Sequence, residues 1–97
     1  MLRLRPDEHA GSRPQAQDLA SQLPGDLAGQ TVVLDCGHVL VATPSFLDEI
    51  VKQVLEIRNA ALLEVVDASQ RARDLLSRSV ANRGISTSRL KIAAGVH

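Results

Sequence analysis

With 97 residues the chain has room for one compact domain but not for a large enclosed active-site cavity. Apolar residues at 44% support a globular core. One aromatic (Phe46), one cysteine (Cys36) and the lack of a leader or membrane-length apolar run argue against base stacking, an internal disulfide and a membrane span, so the cytoplasm is the expected location. The formal charge is zero but uneven: residues 1–67 carry ten acids against five bases, and residues 68–97 carry six bases against Asp74 alone, giving two differently charged faces if the elements segregate.

Residues 1–5 alternate Leu2 and Leu4 with Arg3 and Arg5 and stop at Pro6, the pattern of a short edge strand. Ser12 caps a helix with Pro14 in its first turn, and Ala16, Leu19, Ala20 and Leu23 recur at helical spacing until Pro24-Gly25. Residues 31–35 are apolar on both faces, as expected of a central strand with helices above and below it.

Thr43 is placed as an N-cap with Pro44 at the first helical position, where its missing N–H costs nothing. Asp48 and Glu49 follow near the start and complement the helix dipole. Phe46, Leu47, Ile50, Val51, Val54 and Leu55 form one apolar stripe running to about residue 58. Asn59 marks a turn into a strand over 61–66, and Asp67 or Ser69 caps a helix over 70–82, stopped by Gly84. Its inner face is Ala72, Leu75, Leu76 and Val80, and its outer face holds most of the arginines. Beyond it, Leu90-Lys91-Ile92 reads either as a last strand or as part of a frayed tail over 86–97. The alternation predicts a single α/β domain over 1–97: a mixed or mostly parallel sheet of about four strands packed with three helices.

Little of the usual catalytic chemistry can be written. Cys36 and His38 are two ligands with no further cluster, so neither a metal site nor cysteine catalysis is expected. No glycine-rich phosphate loop exists, and no cofactor is expected. Asp48-Glu49 and Asp7-Glu8 are adjacent pairs whose side chains diverge, so they read as solvated charges. Ser45 lies in the first turn of its helix, where an added phosphate would be stabilised by the dipole and the unpaired N–H groups.

At these residues the sequence resembles the STAS domains of bacterial anti-sigma factor antagonists, and more closely the short STAS-like domains of undefined function. In the antagonists a hydrophobic strand ends at Asp or Asn and a loop leads to a DSSGL-type motif opening a helix. Here Val32-Val33-Leu34-Asp35 matches the strand, and without a gap Thr43-Pro44-Ser45-Phe46-Leu47 falls on the DSSGL segment. The stretch from Leu63 to Ser69 resembles the next strand and turn, and Gly11-Ser12-Arg13 together with Asp48-Glu49 resembles the short subgroup. The likeness covers about residues 11–85. It departs where the family's phosphoacceptor serine would stand, because that position is Pro44, which has no hydroxyl; Thr43 replaces the preceding Asp and Phe46 the Gly.

The resemblance implies a non-catalytic regulatory module. Asp35, Thr43, Pro44, Ser45, Asp48 and Glu49 would contact a protein partner, such as a GHKL-type ATPase of the anti-sigma kinase kind, with Ser45 or Thr43 open to phosphorylation. Homo-oligomerisation stays open. The competing expectation, from the charge count, is a small nucleic-acid-associated protein using the arginine-rich last helix and tail, which steep salt dependence would reveal.

Overall fold

The computed structural model describes residues 2–93. Four parallel strands, β1 (Leu2–Leu4), β3 (Thr31–Asp35), β5 (Leu62–Val66) and β6 (Leu90–Ile92), form one sheet in the order β1-β3-β5-β6. The connecting helices are α1 (Arg13–Ala20), α2 (Pro44–Val51) and α3 (Gln70–Asn82). A second, two-residue parallel ladder pairs β2 (His9–Ala10) with β4 (Val41–Ala42). The expected small α/β domain is therefore found, with every strand pair of the larger sheet parallel.

Because each crossover steps one strand further in the same direction, a common handedness puts all three helices on one face, where α1 packs on α2 and α2 on α3. The core lies between them, built from Leu4, Val32, Leu34, Leu63 and Val65 of the sheet and Phe46, Leu47, Ile50, Leu55, Leu76 and Val80 of the helical layer. This corrects the expectation that β3 is covered on both sides. Val33 is only 3% exposed yet stands apart from that core. It points to the opposite face, where the register sets Arg3 and Glu64 beside it.

Local signals set the helix ends. The Ser12, Thr43 and Ser69 hydroxyls accept from the backbone N–H groups of Gln15, Phe46 and Ala72, capping the three helices; of the two candidates before α3, Ser69 does so. Gly84 at φ +67° follows α3. α1 stops at Ala20, one turn earlier than expected, and Leu23 is buried from the turn beyond.

Past Val51, α2 widens into a π-helical segment, Lys52–Ile57, and the Arg58 N–H reaches back five residues to the Gln53 carbonyl at 3.1 Å. Asn59, at φ +57°, ends it. The Arg89 guanidinium donates to the Leu55 and Ala60 carbonyls at 2.9 and 2.6 Å, satisfying acceptors that the terminus leaves open. Arg89 ends the short 3₁₀ turn before β6, so this contact also fixes the last strand, which is ordered as Leu90–Ile92; residues 94–97 of the expected tail lie outside the described residues.

Candidate functional site

Parallel strands end on the same side, and there the loops after β3 and β5 meet the capped starts of α2 and α3. β3 delivers Asp35, which is 9% exposed. Its carboxylate accepts from the Gly37 N–H at 2.9 Å and from Arg3 and Arg5 at 3.0 and 3.2 Å. The Gly37 amide, with the two arginines adding to it against the cost of burial, holds this carboxyl below the usual range. Gly37 is crowded: a Cβ on it would stand 3.1 Å from the Asp35 carboxylate and 3.7 Å from that of Asp67. Asp67 itself adopts φ +57° at the end of β5.

Cys36 is buried in this corner, its N–H donating to the Val66 carbonyl at 2.9 Å. Burial first, then the charges of Asp35 and Asp67, push its thiol up to about 11. A thiol held protonated in this way is a poor nucleophile and a poor metal ligand. Its sequence neighbour His38 is exposed, and among the described residues no three His, Cys, Asp or Glu side chains gather into a metal-binding group.

The pair Asp48-Glu49 does not behave as solvated charge. Glu49 is 1% exposed and accepts from Gln53 (2.8 Å), Arg13 (3.2 Å) and Gln17 (3.4 Å). Asp48 is gripped by Arg83 through Nε at 2.9 Å and Nη2 at 2.6 Å, by the Ser79 hydroxyl at 2.6 Å and by Arg13 at 3.0 Å. Arg83 also reaches Glu56 at 2.6 Å. Three helices are thus tied by one polar network whose members come from all of them. The Arg83 bond, then those of Ser79 and Arg13, holds the Asp48 carboxyl far below the usual range; for Glu49, burial is outweighed by Gln53, Arg13 and Gln17. Neither carboxylate lies in the first turn of α2, so their work is this pairing and not dipole compensation. Of the six expected contact residues, Asp35, Asp48 and Glu49 have their charges committed within the chain, Thr43 is spent as a cap, and Pro44 and Ser45 are exposed.

Sequence reasoning did not single out the large apolar side chains that stay exposed: Ile57, 54% exposed at the end of the π-helical segment, and the adjacent pair Leu40 and Val41. Leu40 and Val41 are 74% and 54% exposed. Their backbone is anchored: both N–H groups donate to the Glu8 carbonyl, at 2.9 and 3.0 Å, and the Thr43 N–H donates to that of Ala10 at 3.0 Å. Beside them lies a cleft of about 290 Å³ lined by Cys36, Val39, Ala42, Ser69, Arg71 and Ala72. The signal was present as Val39-Leu40-Val41, an apolar triplet in a loop between His38 and the Thr43 cap, too short to read as a strand. A second, open groove runs between Pro44, Ser45 and Asp48 on α2 and Leu75, Arg78, Ser79 and Asn82 on α3.

The basic half of the chain is partly consumed inside the fold. Arg83 and Arg89 serve the contacts above, and Lys91 pairs with Glu64 on the sheet at 3.8 Å. The nucleic-acid expectation is left with Arg71, Arg73 and Arg78 of its six cations. Among the described residues no helix is long and apolar enough to cross a membrane. No family model, curated protein sequence or solved structure matches the chain.

Proposed function

We propose that this chain is a STAS-like interaction module that docks a protein partner through the loop 36–43 and the first turn of α2. The observation that carries the reading is the exposure of Leu40 and Val41 on a backbone pinned to the Glu8 carbonyl. Exposed apolar side chains rimmed by polar groups mark interaction surfaces, and an anchored backbone loses little further entropy on binding. The surface adjoins the segment that aligns with the DSSGL motif, so the resemblance supports the same corner and suggests a GHKL-type ATPase as the class of partner. Ser45, exposed at its edge, is the hydroxyl open to modification; the buried carboxylates act as scaffold.

The test is quantitative affinity capture from extracts of the source cell, using wild type, Leu40→Ser/Val41→Ser and the open-face control Lys91→Gln. A partner should be held by wild type and control, and recovered about tenfold less by the double variant. Equal recovery by all three overturns the reading.

A further inference from the structure

The docking surface has a second wall, and that wall carries charge. Arg71, Leu75 and Arg78 follow at helical spacing on one stripe of α3, so the cleft beside Leu40 and the groove beside Ser45 lie end to end along it. Among the described residues neither Arg71 nor Arg78 enters an ion pair. The carboxylate that lines the groove, Asp48, is already held by two guanidinium groups, and none lines the cleft. Asp74, the remaining acid of α3, accepts from Gln70 and lines neither depression. The surface thus offers the exposed apolar side chains of Leu40 and Val41 and the half-buried Leu75, flanked by two arginines that form no ion pair among the described residues.

Resting on the docking reading above, we infer that the occupant is an acidic, aliphatic segment of a protein partner: one whose Leu, Ile or Val side chains enter the cleft while Asp or Glu meet Arg71 and Arg78. Complementary charge at the rim sets partner choice and encounter rate, while the apolar contacts hold the complex.

The test selects displayed random dodecapeptides on the immobilised chain and measures the enriched sequences as free peptides. Enriched sequences should combine Asp or Glu with Leu, Ile or Val. Their affinity should fall about tenfold for Arg71→Glu/Arg78→Glu, a variant that should select basic peptides instead. Both substituted side chains are exposed and form no ion pair among the described residues, so the variant should keep its fold, which circular dichroism checks. Loss of binding in Leu40→Ser/Val41→Ser with no effect of the charge reversal overturns the acidic partner and leaves the docking surface standing. Binding unchanged in both variants, or no enrichment at all, overturns both.

Discussion

Asp48 and Glu49 are adjacent on α2 and share Arg13, while Arg83 and Ser79 hold only Asp48 and Gln17 and Gln53 only Glu49. A carboxylate held by a bidentate arginine and a serine hydroxyl leaves those donors unpaired when it is removed. Asp48→Ala should therefore cost about 2–4 kcal/mol in urea unfolding. Combining it with Arg83→Ala should cost less than the two single changes together by at least ~1 kcal/mol, which a double-mutant cycle reads directly. The two hydroxyls nearby separate in the same assay. Thr43→Ala loses the cap on the Phe46 N–H and should cost about 1 kcal/mol, whereas Ser45→Ala should stay within ~0.5 kcal/mol of wild type.

At the scale of elements, what could be read from the sequence was what depends on near neighbours. Ser12, Thr43, Pro44 and Ser69 act within one turn of themselves, so their caps were legible, as were β3, β5 and α3. The network of Arg13, Asp48, Glu49 and Arg83 joins residues about 35 positions apart, and nothing local distinguishes those acids from solvated ones. The two-residue ladder of β2 and β4 is too short to have a period, and the π-helical turn keeps the same apolar stripe that an α-helix would show. Val33 misled for a physical reason: an apolar residue buried on the sheet face opposite the helices looks, in sequence, like one buried under a helix. The Arg89 contact makes its own prediction. Arg89→Ala should free the Leu55 and Ala60 carbonyls, lower stability by about 1–3 kcal/mol and speed amide exchange in β6 before the rest of the sheet.

Across the whole molecule, the committed charges set a pH window. Asp35, Asp48 and Glu49 all titrate below their ordinary values of 3.8, 3.8 and 4.5, so on acidification the unfolded chain takes up protons first. Their contribution is complete above about pH 5 and is lost as the pH falls through those values toward the lower folded ones. Cys36 acts in the opposite direction: with its ordinary value of 9.0 raised to about 11, its contribution is present below 9.0 and is lost as the pH rises toward 11. The urea midpoint should plateau between these limits, and Cys36→Ala should remove the alkaline decline while leaving the acid one. A plateau extending unchanged well into the acid range would contradict the network.

The fold also leaves two different surfaces for a partner, the carboxyl end of the sheet and the sheet face opposite the helices, and the exposed Leu40 and Val41 favour the first. Amide hydrogen exchange on the chain alone and with its captured partner distinguishes them directly. Slowed exchange over residues 36–45 and 69–79, with β1 and β6 unchanged, is the predicted result; protection confined to β1, β5 and β6 while 36–45 exchanges as before would contradict it.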